Sequence, residues 1–149
     1  VCKSFPSPRS FDLAWIPGMA FSGRDLEVPK PHQGLLTRGA SGDWPAYSAV
    51  CADDVSCFEA ESEGHLVEGL PFHRYYFELP GDSSQPAPAV NVTMARPHLR
   101  WLSDDSVVVS YTRLTQKLVK GDPVTARCCE TRIWQKLDGN WKQVHVHRS

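Results

Sequence analysis

Two rhythms of apolar and polar positions divide the chain. From residue 90 onward the alternation is two-fold, and the runs 90–94, 99–102, 107–118, 125–134 and 141–147 read as β-strands rich in Val, Thr, Tyr and Trp. The breaks between them carry turn chemistry: Ser103-Asp104-Asp105, Gly121-Asp122-Pro123 and Leu137-Asp138-Gly139-Asn140. Upstream the spacing lengthens towards that of helices. A first helix from Pro31 relies on Leu35 and Leu36 and is weakened by Gly34 and Gly39. Asp43 is a good cap for a second, in which Trp44, Tyr47, Ala49 and Val50 make an apolar stripe ending near Cys51. After an acidic loop, Pro71 opens a third over 71–78, which Pro80-Gly81 ends; its aromatics lie nearly all round and predict burial on more than one side. Helices first and a strand meander after them predict an α+β domain, a curved antiparallel sheet with helices on one face.

Residues 1–30 follow neither rhythm. Pro6, Pro8, Pro17, Pro29, Gly18 and Gly23 mark them as an irregular arm, with Trp15 and Phe21 suited to docking on a neighbour. Residues 31–149 then form one domain, and residues 81–88 a Pro/Ser loop. A chain of 149 residues with 41% hydrophobic positions holds one ordinary core, and no apolar run approaches bilayer thickness, so neither membrane nor a second large domain is expected. The net charge of -1 argues against a nucleic-acid partner, but its distribution is uneven. Residues 50–82 carry eight acids and one base, residues 113–149 eight bases and three acids. Like copies would attract head to tail, unless the two sets meet within one copy or face solvent. Five cysteines, two of them adjacent (Cys128, Cys129), suggest no disulfide framework. With no hydrophobic signal segment at the start, the cytoplasm is the expected location.

No Walker loop, dinucleotide glycine fingerprint, HExxH or CxxC pair is present, and no cofactor is expected. His145 and His147 share a strand face, yet without a third ligand nearby they read as surface or hydrogen-bonded residues and not a metal site. The arginines are more informative. Tyr111 and Arg113 share a face of one strand, Glu130, Arg132 and Trp134 a face of the next, and Val144, Val146 and Arg148 a face of the last. A two-residue turn at Asp138-Gly139 would set Arg132 opposite His145 and send Arg148 to the other face; a three-residue turn with a bulge at Gly139 would put both arginines together. In the second register guanidiniums converge on the concave face and need counter-anions. Glu130 serves one, and a surplus would accept a carboxylate from a small molecule or an acidic peptide side chain. Alternatively Arg132 pairs with Glu130 and the rest reach solvent.

Several blocks carry a resemblance. Gly42-Asp43-Trp44-Pro45-Ala46-Tyr47, the stretch His65-Leu66-Val67-Glu68-Gly69-Leu70-Pro71-Phe72-His73-Arg74-Tyr75-Tyr76-Phe77-Glu78, Tyr111-Thr112-Arg113-Leu114-Thr115-Gln116, Glu130-Thr131-Arg132-Ile133-Trp134 and the ending from Asp138 to Ser149 resemble the association (hub) domain of calcium/calmodulin-dependent protein kinase II, over about residues 31 to 149. The resemblance implies a nuclear transport factor 2-like cone, helices on a strongly curved sheet enclosing a central pocket. It implies a non-catalytic scaffold, a homo-oligomer closed into a ring stacked two deep, which gathers kinase domains in cis or in trans. It also implies a pocket lined by His73, Arg113, Arg132 and Arg148, with Glu130 and Tyr111 beside them, and so favours the three-residue turn. Where the family begins with a long amphipathic helix, this chain has prolines and glycines. The wider cone superfamily includes isomerases and dehydratases, for which His73 with Tyr111 or Arg113 is the available acid–base pair.

Overall fold

The computed structural model describes residues 42–78 and 90–149, together with Gly23, Val28 and Gly34. The rest of the 1–30 arm, the helix expected from Pro31 apart from Gly34, and the 81–88 loop lie outside the described residues. Helix α1 (Trp44–Ser48) starts where Asp43 caps it, the carboxylate accepting from the Ala46 N–H at 3.1 Å. It ends before Cys51, because Cys51 already belongs to a strand.

That strand, β1 (Cys51–Phe58), replaces the expected acidic loop. Its Val55 and Cys57 are buried while Asp53 and Asp54 face water. The two aspartates sit where the pairing register is interrupted, between Cys51 and Ser56, so an acidic composition and a strand coexist. A 3-10 turn (Ala60–Ser62) leads to the two-residue β2 (Val67–Glu68), which pairs with β1 at Ser56 and Cys57. Gly69 then turns the chain with φ +87°, and its N–H donates to the Val55 carbonyl at 2.8 Å. Helix α2 (Leu70–Glu78) follows as expected, but its burial is one-sided: His73 is 3% exposed and Tyr75 61%.

The four remaining strands are β3 (Val90–Ser103), β4 (Ser106–Val119), β5 (Asp122–Leu137) and β6 (Asn140–Arg148). The two short runs at 90–94 and 99–102 are one strand, bent at Arg96 (φ +51°) and the buried Pro97, where the pairing with β4 shifts. Such an insertion bends a strand without ending it, which a linear pattern reads as two strands. The sheet order is β2-β1-β6-β5-β4-β3, antiparallel except for the parallel β1–β6 pair.

The last hairpin corrects the expected turn. Leu137 pairs with Asn140, so the loop has two residues, Asp138 and Gly139, at φ +50° and +78°. The register shift comes instead from a bulge within β6: Trp134 faces Gln143, whereas Ile133 faces His145, leaving Val144 as the extra residue. Beyond it Arg132 opposes Val146 and Glu130 opposes Arg148. Gln143, Val146 and Arg148 therefore share the inward face.

The core lies between this concave face and the helices. Val107, Val109 and Trp134 from the sheet meet Tyr47 and Val55, with Val28 fully buried among them. Trp44, Tyr47 and Phe77 hold α1 to α2 through ring contacts of 5.0 to 6.1 Å. Among the described residues no helix is long and apolar enough to cross a membrane.

Candidate functional site

Three adjacent strands place three rungs of side chains under the helices. One rung is Val107, Trp134 and Gln143; the next is Val109, Arg132 and Val146; the third is Tyr111, Glu130 and Arg148. Arg113 stands one step further along the β4 face. The structure thus gathers all six residues singled out in the sequence, with His73 reaching the group from α2.

Glu130 is the hub of the contacts. Only 2% exposed, it accepts from Arg132 Nε at 3.0 Å and Nη2 at 2.9 Å, from Arg113 Nη1 at 3.3 Å, and from the Tyr111 hydroxyl. Burial alone would raise its pKa, but Arg132, the Tyr111 hydrogen bond and Arg113 outweigh it and hold the carboxyl at about 2. Arg132, itself 5% exposed, also donates through Nε to Tyr111 Oη at 3.0 Å and through Nη1 to Gln143 Oε1. Burial opposes its charge, and the surrounding Tyr111 and Glu130 nevertheless keep it firmly protonated.

Arg148 is held by residues that the sequence did not nominate. Its Nη2 donates to Glu59 at 2.6 Å and Glu61 at 2.8 Å, both from the turn after β1. Among the described residues three guanidiniums, Arg113, Arg132 and Arg148, thus meet three carboxylates, Glu130, Glu59 and Glu61. The expected surplus of arginine charge is not there, because long-range folding delivers acids from the 50–82 run to the basic C-terminal strand.

Donors without acceptors remain. Tyr47 Oη and His73 Nδ1 are 3.0 Å apart and share a hydrogen bond, with the charge of Arg132 close to the phenol. Where the Tyr47 hydroxyl donates to Nδ1, the neutral imidazole carries its own proton on Nε2. That Nε2 and the Nε of Arg113 are buried and have no hydrogen-bond partner among the described residues. Burial first, then the fields of Arg132 and Arg148, lower the His73 pKa to about 4. Burial raises both Tyr47 and Tyr111 above the usual phenol range.

Sequence reasoning missed Tyr47, Gln143, Glu59 and Glu61. The two-residue turn would have set Gln143 beside Trp134, so that signal was available; nothing in the spacing pointed Glu59 or Glu61 at Arg148. Among the described residues no three His, Cys, Asp or Glu side chains cluster as a metal site, and His145 is hydrogen-bonded to Ser56 at 2.8 Å.

A model of the calcium/calmodulin dependent protein kinase II association domain matches residues 25–149. The chain belongs to this family. The association domain here is 38% identical over 130 residues to the calcium/calmodulin-dependent protein kinase type II alpha chain of Drosophila melanogaster, covering 86% of this chain and 24% of that protein. The chain therefore spans about a quarter of that relative's length. Among solved structures, the CaMKII hub homology domain of C. reinhardtii is 52% identical, with TM-score 0.79, over 83% of this chain and 95% of that one. The association domain of C. elegans CaMKII is 35% identical, with TM-score 0.76, over 85% of this chain and 95% of that one. An NTF2-like protein of Cytophaga hutchinsonii, 21% identical at TM-score 0.65 over 87% of this chain and 98% of that one, shares the fold alone. The association domain is accordingly an NTF2-like α+β cone.

Proposed function

We propose that this chain is a self-assembling, non-catalytic scaffold of the cytoplasm, whose copies close into a ring of two stacked tiers. The family match across residues 25–149 carries this reading. It is supported by the relatives named as hub and association domains, and by apolar side chains left in solvent on the single copy. A kinase domain, on the same chain or on another, is the partner such a ring would gather. Rings built from repeated contacts need only close geometrically, so their size can vary with small changes of angle. Native mass spectrometry at micromolar concentration is expected to find a multiple of the 16.7 kDa subunit; a monomer there overturns the scaffold.

A second property is favoured by one observation, the two unpartnered donors His73 Nε2 and Arg113 Nε beside a buried arginine. Two donors lacking acceptors suit a carboxylate from a small acid or an acidic peptide side chain. It would add its charge to a balanced set, so it must compete with Glu59 and Glu61 for Arg148. Succinate at tenfold its dissociation constant is expected to stabilise the fold by about 1.4 kcal/mol, and Arg113→Met to remove most of that gain. Equal thermal shifts in the variant and the parent would refute the assignment.

The same groups make poor acid–base catalysts. Glu130 is locked by two arginines, and His73 titrates well below neutrality, so neither proton sits near a working pH of 7. The isomerase or dehydratase alternative has no better pair to offer on this face.

A further inference from the structure

The far end of the β4–β5 hairpin is built unlike the rest of the sheet. Residues 116–127 are all exposed, while β6 ends opposite Glu130 and leaves this part of β5 without a neighbour on that side. β3 still pairs with β4 as far as Lys117, opposite Val90, so the bare strand pair is the last two rungs, Leu118 with Pro123 and Val119 with Asp122, and the turn that joins them. An uncovered strand pair of this kind is marginal in water and is normally polar on its free faces. This one is not: Leu118 is 63% exposed, Val119 41% and Val124 40%. The two-residue turn at Lys120 and Gly121, with φ +54° and +90°, brings Leu118 opposite Pro123 on one face, with Val119 and Val124 on the other.

Cations outnumber acids around these apolar side chains, three against Asp122, which lies opposite Val119. Lys117, Lys120 and Arg127 are exposed, and none has an ion-pair partner among the described residues. A complementary surface exists elsewhere on the same molecule. Glu63 and Glu68 flank the 51%-exposed Leu66 beside β2, and these carboxylates are likewise unpaired among the described residues. Each surface has an apolar centre and a charged rim, with opposite signs. Within one copy the charges do not meet.

We infer that the β4–β5 hairpin tip docks on the acidic β2 edge of a second copy of this chain. The inference rests on the self-assembly reading and names a surface for it. Apolar contact between Leu118 or Val124 and Leu66 supplies the burial, and the lysine–glutamate rims set orientation and exclude like-charged pairings.

Charge reversal with complementation tests this, read as native mass at micromolar concentration and physiological salt. The variants are Lys117→Glu with Lys120→Glu, which makes the hairpin acidic, and Glu63→Lys with Glu68→Lys, which makes the edge basic. Each alone is expected to associate about ten-fold more weakly or worse. An equimolar mixture is expected to regain the parent mass with the two variants alternating, because every contact again joins opposite signs. Recovery on mixing also proves that both variants fold. Variants that keep the parent mass alone overturn the docking surface, as does a mixture that fails to recover. A parent protein that is itself monomeric overturns the scaffold reading instead.

Discussion

Glu130→Gln is expected to cost about 3–5 kcal/mol of folding stability, the usual penalty for leaving a buried charge without its partner. Arg132 is 5% exposed, and Glu130 receives two of its donor groups as well as those of Arg113 and Tyr111. The amide keeps the size of the carboxylate but not its charge, so the loss is electrostatic and not a cavity. Urea unfolding at fixed protein concentration measures it, since assembly couples stability to concentration. Replacing both partners, Glu130→Leu with Arg132→Met, is expected to cost less than Glu130→Gln alone, because the more deeply buried charge is then no longer stranded and Arg113, which also loses Glu130, is partly exposed to water. A single variant within about 1 kcal/mol of the parent would show that the arginine finds other acceptors.

The second large effect is a loss of stability in mild acid that belongs to His73. Its pKa falls from 6.5 in the unfolded chain to about 4 in the fold, so between those values the unfolded state binds more protons. The stabilisation is complete above about pH 6.5 and is lost as pH falls through 4, with a slope of about 1.4 kcal/mol per pH unit. Glu130 behaves in the same direction but lower, its contribution complete above 4.5 and lost as pH falls through about 2. The interval from pH 6.5 to 4.5 therefore isolates the histidine from that carboxylate. His145, lowered by burial and by His147, adds a slope of the same sign there, and Glu59, raised chiefly by burial, one of the opposite sign just above pH 4.5. His73→Asn keeps a polar atom for Tyr47 to meet and is expected to remove most of the slope of unfolding free energy against pH. An unchanged slope would mean that His73 is hydrated in the fold.

Much of this molecule could be read from its residues. The four long strands follow from two-residue alternation, and the helix at 71–78 from proline-bounded aromatics. The blocks around His73, Arg113 and Arg132 pointed to the right family before any geometry was known. What failed was non-local. Strand β1 looked like an acidic loop because its pairing partner, β6, lies some ninety residues further on, as in Ser56 with His145. The bent β3 looked like two strands because a bulge interrupts alternation without interrupting the chain.

The composition of the arginine face was settled in the sequence, since period-two alternation assigns Tyr111 and Arg113, and Glu130, Arg132 and Trp134, to common faces whatever the rest does. Whether Arg148 joined them was not. A hairpin turn specifies register only until the next bulge, and the bulge at Val144 reverses what the two-residue turn at Asp138-Gly139 would have imposed. Nor could the chain by itself announce that Glu59 and Glu61 neutralise Arg148 across 89 and 87 positions. Local sequence fixes which way a side chain points from its own strand; which distant charge it meets depends on how all the strands close together.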